Sequence, residues 1–363
     1  IYSYEDWQTI EEGTYQNYRL MADIDFSGKS DMKHNITVNR LEAENHTYTL
    51  KNIELTFQQV NTGLISEVRN SIKNIKFENI TLTNTVNSGN YFGVIAVNNG
   101  NIENLRFSHI TIKAPKVNYV GMIGGYQGKG VKYIELQDIY IEANTRVGGL
   151  IGSSGLTIST DSIISDITGD NVKIIGKDYT GGILGYMHTS RVQVQNTRLK
   201  NSNITGNNYV GGIVGVGRGE YFSNNNQITG NSYVGGISGY TIYASHSSYL
   251  ETNSCNITAT GSYIGGISGQ GASILYYVNV INTEIESTSV NAQNVGGIAG
   301  SPAGYEIAYF QVKDTNIISK GTNVGGVLGY TFNSNTTHIG YIQNVTVEGA
   351  ENVGGVVGKS SYR

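Results

Sequence analysis

The sequence predicts an all-β protein, a single right-handed parallel β-helix of about eleven coils, and three observations support this prediction. A short phrase recurs down most of the chain: an aliphatic residue, two glycines, an aliphatic residue, any residue and a glycine, at a period of about 29 residues. The intervals between these glycines hold short runs of β-branched and aromatic residues bounded by Asn and Gly. None of the intervals keeps a helical period.

The length of the repeat favours a β-helix over the other repeat architectures. A propeller blade needs four strands and about 40–50 residues, whereas about 29 residues hold three short strands and three turns, which make one coil of a parallel β-helix. A leucine-rich repeat would require its own Leu/Asn register and a helix in each unit. We expect the coils to be right-handed, because parallel crossover connections nearly always are.

The glycine pair predicts a change in the path of the backbone. In Val210-Gly211-Gly212-Ile213 the two apolar residues would face opposite sides of a regular strand. We therefore expect the pair to interrupt the alternation, through a positive φ or a sharp corner. Substitution of Gly212 should be poorly tolerated, because a Cβ there would meet either a positive φ or the neighbouring coil. The first glycines are predicted to stack at one corner of successive coils, and the structural repeat residues are Gly121, Gly148, Gly181, Gly211, Gly235, Gly265, Gly296, Gly325 and Gly354.

A second recurring position lies two residues before the first glycine. Tyrosines dominate it, and asparagines replace them in the last copies, at Asn294, Asn323 and Asn352. The rings could stack on one another as a structural ladder, or they could form an exposed stripe that grips sugar rings or a peptide. We expect the structural role, because a position tied to the repeat usually serves the repeat. The candidate binding residues for the second role are Tyr119, Tyr179, Tyr209, Tyr233 and Tyr263.

The first part of the chain does not carry the repeat. We divide the chain into an N-terminal cap, residues 1–58, and a repeat region, residues 59–363. Ser3 followed by acidic residues predicts a short capped helix, and the run from Tyr18 to Phe26 predicts a strand. Such a cap would close the open end of a solenoid. Trp7 is expected to be its hydrophobic plug.

Composition excludes several classes of function. The net charge is −4 and no basic run is present, so nucleic acid is not an expected partner. No apolar stretch reaches about 18 residues, so we expect no insertion into a membrane. Cys255 is the single cysteine, which rules out an intrachain disulfide, and we expect it to be inert. The chain starts at Ile1 and stops soon after a repeat glycine, and we expect it to be a piece of a longer protein.

The residues that recur also carry a resemblance. The phrase Val-Gly-Gly-Ile-x-Gly resembles the GLUG repeat, and Tyr18, Leu20, Asp23, Ile24 and Asp25 resemble the usual lead-in to GLUG arrays. The Tyr-Val-Gly-Gly form of the motif, with Asn-rich spacers, is similar to the N-terminal region of streptococcal zinc metalloproteases of the IgA1-protease type, peptidase family M26. GLUG arrays also occur in bacterial adhesins. The resemblance implies an extracellular Gram-positive protein, secreted or attached to the cell wall, whose downstream domain cleaves host glycoproteins such as IgA1.

The chain itself lacks the motif through which that protease family works. A His-Glu-x-x-His helix places two imidazoles on one zinc ion and a glutamate beside its water. None of the 6 histidines of this chain is followed by Glu or lies four residues from another histidine. We therefore expect no catalytic residue, no metal site and no cofactor in this chain. Zinc would belong to the downstream catalytic domain of the parent protein.

Acidic residues could support a different chemistry, because parallel β-helices also host carbohydrate-active enzymes with converging carboxylates. The densest acidic group is Asp161, Asp166 and Asp170, for which we expect a solvated, bulging loop. The sequence thus predicts a monomeric, non-catalytic module that recognises or positions a substrate. Its partners would be a host glycoprotein and the parent's catalytic domain. A surface adhesin or structural stalk, and a carbohydrate-active β-helix enzyme, remain as alternatives.

Overall fold

The protein is a parallel β-solenoid, as the sequence predicts. The structure is a computed structural model that describes residues 1–126, 128, 130–154, 162–188, 192–242, 246–271, 274–302, 306–332 and 339–361. Strands account for 69% of it and helix for 2%, and the coils stack over about 11 turns. Strands pair in parallel with the equivalent strands of the coils before and after them. The right-handedness of the coil stays a prediction, because this pairing pattern is the same for either hand.

The elements follow one another with short connections. A single described helix, α1, spans Tyr4–Gln8. Strands β1 to β15 are, in order, Gln16–Arg19, Ile24–Asp25, Ile36–Glu42, Tyr48–Phe57, Thr62–Asn84, Gly89–Asn98, Asn101–Ala114, Val117–Val120, Ile123–Tyr126, Gly130–Ala143, Val147–Gly148, Ile151–Ser154, Ser162–Ile175, Thr180–Gly181 and Leu184–Tyr186. Strands β16 to β37 are Val192–Lys200, Asn203–Thr205, Asn208–Gly211, Val214–Gly217, Tyr221–Asn224, Gln227–Gly230, Ser232–Gly235, Ser238–Thr241, His246–Asn253, Asn256–Ala259, Ile264–Gly265, Ser268–Gly271, Ile274–Ile281, Glu284–Ser287, Gln293–Gly296, Ala299–Pro302, Ile307–Ser319, Thr322–Gly325, Leu328–Phe332, Gly340–Glu348, Glu351–Gly354 and Val357–Ser361.

Most coils bend at three corners, and the residue at each corner has a left-handed backbone conformation. Corner A, directly before the glycine phrase, is formed by Asn61, Tyr91, Tyr119, Arg146, Tyr179, Tyr209, Tyr233, Tyr263, Asn294, Asn323 and Asn352. Corner B is formed by Asn74, Asn104, Tyr133, Asp166, Asn196, Tyr249, Tyr277 and Tyr309. Corner C is formed by Asn52, Asn79, His109, Asp138, Asn171, Asn201, Asn225, Ser254, Asn282, Asp314 and Asn344.

Corner C explains the Asn-rich spacers of the sequence. Asn and Asp tolerate a positive φ better than other residues with a Cβ, so they are favoured where the chain turns in this way. Their side chains also bond between coils: Nδ2 of Asn79 donates to Oδ1 of Asn52 at 2.6 Å, and Nδ2 of Asn171 donates to Oδ1 of Asp138 at 2.6 Å. An amide ladder therefore runs along parts of this corner.

The glycines of the repeat stack as predicted, and of the two reasons expected for the second glycine the structure shows close approach of the neighbouring coil and not a positive φ. Those from Gly148 to Gly354 occupy one column of in-register pairs. The positive φ belongs to the corner A residue and not to the glycines. A Cβ on Gly212 would lie 2.1 Å from the carbonyl oxygen of Gly236 in the next coil, and one on Gly211 would lie 2.0 Å from the carbonyl oxygen of Val214. The pair is required because two backbone segments approach closely there.

Apolar side chains from successive coils fill the interior in columns. Ile80, Ile110 and Ile139 lie in register and are buried, as are the residues of neighbouring columns. Phe77 and Phe107 stack with their ring centroids 5.1 Å apart. The core is therefore one continuous apolar column along the solenoid axis.

The N-terminal helix contributes a tryptophan to this column. Oγ of Ser3 accepts a hydrogen bond from the backbone nitrogen of Asp6 at 3.2 Å, which is the predicted N-cap. Trp7 is fully buried, its Nε1 donates to the carbonyl oxygen of Lys33 at 2.8 Å, and its ring meets Phe26 edge-on at 5.6 Å. Trp7 is therefore part of the buried core, while its role as the plug of a cap stays a prediction.

The segment after the helix differs from the single strand that we expected from Tyr18 to Phe26. The structure has two strands there, β1 and β2, separated by residues 20–23. β1 pairs with β3 and β2 pairs with β4, so parallel stacking already includes residues before 58. The domain boundary at residue 58 stays a prediction. Within the described residues, no helix is long and apolar enough to cross a membrane.

Candidate functional site: stacked tyrosines on two corners

The predicted tyrosine ladder exists and runs along corner A. The rings of Tyr179 and Tyr209 stack with centroids 5.0 Å apart and planes 9° from parallel. Those of Tyr209 and Tyr233 are 4.6 Å apart at 8°, and those of Tyr233 and Tyr263 are 4.9 Å apart at 2°. Four of the five candidate binding tyrosines therefore form one regular stack, with a ring from each successive coil.

Arg146 joins the fifth tyrosine to this stack. Its guanidinium carbon lies 4.8 Å from the ring centroid of Tyr119 and 5.7 Å from that of Tyr179, within the range of a cation–π contact. Its Nη1 also donates to the hydroxyl of Tyr119 at 2.7 Å. Tyr119 is itself adjacent to Tyr91, at 4.9 Å. The arginine, which interrupts the tyrosines in the sequence, continues the column in space.

These rings are neither fully buried nor fully open. Each is partly exposed, and edge-on neighbours cover one side: Tyr186 against Tyr179 at 5.0 Å, and Tyr240 against Tyr209 at 6.2 Å. Burial, followed by the neighbouring phenol of Tyr233, raises the pKa of Tyr209. The stacking agrees with the structural role, while the exposed edges leave the binding role open. The binding role of these residues stays a prediction.

The backbone conformation of the tyrosines bears on this choice. A positive φ costs a residue with a Cβ about 1–2 kcal/mol, less for Asn, whereas an aromatic pair contributes about 0.5–1.5 kcal/mol beyond its burial. The two effects are of similar size, before the burial of the ring is counted. Asn serves the same position at Asn294 and Asn323, where Nδ2 of Asn323 donates to Oδ1 of Asn294 at 2.8 Å. The fold thus accepts asparagine as an alternative to tyrosine at this corner.

A second tyrosine ladder, which sequence analysis missed, lies on corner B. Tyr249, Tyr277 and Tyr309 stack with centroids 5.1 and 5.2 Å apart and planes within 12° of parallel. Their exposed fractions are 54%, 48% and 48%, so these rings are more open than those of corner A. The sequence does contain a pattern that could have identified this ladder: a buried apolar residue follows each tyrosine, at Leu250, Val278 and Phe310. No glycine phrase marks that position.

The acidic group identified from the sequence has a structural explanation. Asp166 and Asp170 lie on the regular strand β13, and not in the bulging loop that we expected, because the strand follows the register of its neighbours. Oδ1 of Asp166 accepts from Asn196 at 2.7 Å. Burial tends to raise the pKa of Asp170, but hydrogen bonds from Asn201 and Lys200 leave that pKa below its usual value. Asp161 lies outside the described residues. Across the described part of the chain, no group of three or more His, Cys, Asp or Glu is placed to hold a metal ion.

Comparison with protein-family models, with curated proteins and with solved structures finds no match for this chain. The resemblance to GLUG repeats and to IgA1-type proteases therefore stays a hypothesis that rests on the residues quoted for it.

Proposed function

We propose that this chain is a non-catalytic recognition module that binds a host glycoprotein through rows of stacked tyrosines. The exposed ladder Tyr249–Tyr277–Tyr309 is the observation that carries the proposal. Exposed aromatic patches are typical binding surfaces, and tyrosine is enriched among the residues that dominate binding energy. A row of rings at the spacing of the coils suits an extended ligand that lies along the solenoid axis.

The parent protein and its location are part of the proposal. The GLUG-like repeat and its lead-in support an extracellular protein, secreted or attached to a Gram-positive cell wall, in which this module would position IgA1 or a similar glycoprotein for a downstream zinc metalloendopeptidase. An adhesin could use the same surface without a protease. A carbohydrate-active enzyme receives less support, because the carboxylates of Asp166 and Asp170 already accept hydrogen bonds from asparagines of the next coil.

The test is a binding measurement with IgA1 immobilised on a sensor surface and the chain in solution. The triple variant Tyr249→Asn/Tyr277→Asn/Tyr309→Asn keeps residues that tolerate a positive φ, so the coil is preserved. We expect its affinity to fall at least tenfold, about 1.4 kcal/mol.

The matched control is Tyr133→Asn. Tyr133 lies on the same corner and is 58% exposed, but its in-register neighbours on that corner are Asn104 and Asp166, so its ring has no stacked partner there. Binding by this variant should equal that of the parent chain. Equal binding by the triple variant and the parent chain would refute the proposed surface.

A further inference from the structure

The tyrosine stack of corner A ends at Tyr263, and the end of the stack opens into a cleft. One face of the Tyr263 ring lies on Tyr233, nearly parallel to it. The next two residues of the column are Asn294 and Asn323, whose side chains are much smaller. A cleft of about 660 Å³ lies at this step, lined by Tyr263, the two asparagines and residues of the adjoining strands. The second face of the Tyr263 ring is therefore not covered by another ring of its column.

The floor and walls of the cleft carry unused hydrogen-bonding groups. Asn294 is only 6% exposed, and its Oδ1 accepts from Asn323 while its Nδ2 has no acceptor among the described residues. Gln270 and Gln293 line the same cleft, and their side-chain amides are also without partners in the described part of the chain. Planar amides of this kind can bond to two adjacent hydroxyl groups at once.

The described residues that line the cleft carry positive charge only. Lys359 is its single charged lining residue among those described, and no carboxylate lies beside it there. A flat apolar platform, several amides and one cation form a combination suited to a sugar ring. The C–H face of a pyranose would lie on the ring of Tyr263, the amides would bond to its hydroxyls, and the ammonium group would attract a carboxylate on the sugar.

We infer that this cleft binds a pyranose ring of a glycan, and that it prefers a sugar with a carboxylate to its neutral counterpart. This inference rests on the proposed function and deepens it, because it names the part of a glycoprotein that is recognised at the end of the corner A ladder. It uses a different corner from the exposed ladder of corner B.

The experiment is an NMR titration of the full chain with methyl β-D-glucuronide and methyl β-D-glucoside, which differ only in the carboxylate. We expect binding of the glucuronide in roughly the millimolar range and of the glucoside several-fold more weakly. Tyr263→Asn, which extends the amide column, should abolish binding of both. Lys359→Gln should bring the two affinities together. Tyr133→Asn removes an exposed ring on corner B that does not line the cleft, and it should change neither.

Absence of chemical-shift changes with both glycosides, or equal affinities for the two in the parent chain, would overturn the inference. So would binding that is unaffected by Tyr263→Asn. If the corner B variant loses IgA1 binding while neither glycoside binds, sugar binding in the cleft is refuted and the proposed function is supported. If the glycosides bind while IgA1 does not, sugar binding in the cleft is supported and the proposed function is refuted.

Discussion

Replacement of Tyr209 by alanine tests how much the corner A ladder contributes to stability. The ring of Tyr209 is stacked between Tyr179 and Tyr233 at 5.0 and 4.6 Å. Two stacked pairs are worth about 1–3 kcal/mol together, and the partly buried ring adds a burial contribution of its own. Alanine keeps the positive φ of 56° and its unfavourable energy. We therefore expect Tyr209→Ala to lower the free energy of unfolding by about 2–3 kcal/mol.

Tyr209→Asn separates the two components of this loss. Asparagine also lacks the ring, but it adopts a left-handed conformation more easily, so this variant should be about 1 kcal/mol more stable than Tyr209→Ala. Denaturant unfolding followed by far-ultraviolet circular dichroism measures both. A change below about 0.5 kcal/mol for Tyr209→Ala would mean that the stack does not stabilise the coil. Equal stability of the two variants would refute the argument from backbone conformation.

Three further predictions concern other parts of the solenoid. Gly212→Ala should cost about 2–4 kcal/mol in a denaturant titration, because its Cβ would meet the carbonyl oxygen of Gly236. Gly355→Ala is at the same repeat position, but no described atom lies within 4 Å of its Cβ, so this change should be nearly neutral. Equal losses would contradict the steric argument. Trp7→Ala should cost about 3–5 kcal/mol in the same assay, and a loss below about 1 kcal/mol would show that the plug is dispensable. Burial, and then the charge of Arg146, lowers the pKa of His188, so the unfolded chain takes up the proton first and stability should fall as pH drops below about 6.5. Unfolding midpoints at about pH 7.5 and 5.5 should differ less in His188→Gln, and an unchanged difference would exclude this group.

The fold was predictable because the same motif recurs in nearly every coil, so each copy supports the same coil length. The glycine motif predicted the coil length, the Asn-rich spacers predicted the turns, and Ser3 predicted the N-capped helix. The sequence left two reasons open for Gly212, a positive φ or the neighbouring coil, because the backbone that it meets is distant in sequence. Only the stacking of coils brings the carbonyl oxygen of Gly236 to that place.

The candidate site was predictable in part. The glycine phrase drew attention to Tyr209 and its equivalents, and the structure stacks them. The corner B ladder was not predicted. No sequence motif identifies its position, which is recognisable only because a buried apolar residue follows each of Tyr249, Tyr277 and Tyr309. The cleft beside Tyr263 could not be foreseen from the residues alone, since it arises where a ring is followed by a small amide in the next coil and strands from several coils supply the walls.

Tyrosine nitration of the chain, alone and in complex with IgA1, tests most directly whether the exposed ladder is the recognition surface. Peptide mass spectrometry reports the reactivity of each ring. We predict that Tyr249, Tyr277 and Tyr309 become protected in the complex, while Tyr133 and Tyr2, which are equally open in the free chain at 58% and 65% exposure, stay reactive. Unchanged reactivity of the ladder in a complex that has demonstrably formed, or protection of Tyr133 and Tyr2 in its place, would contradict the account.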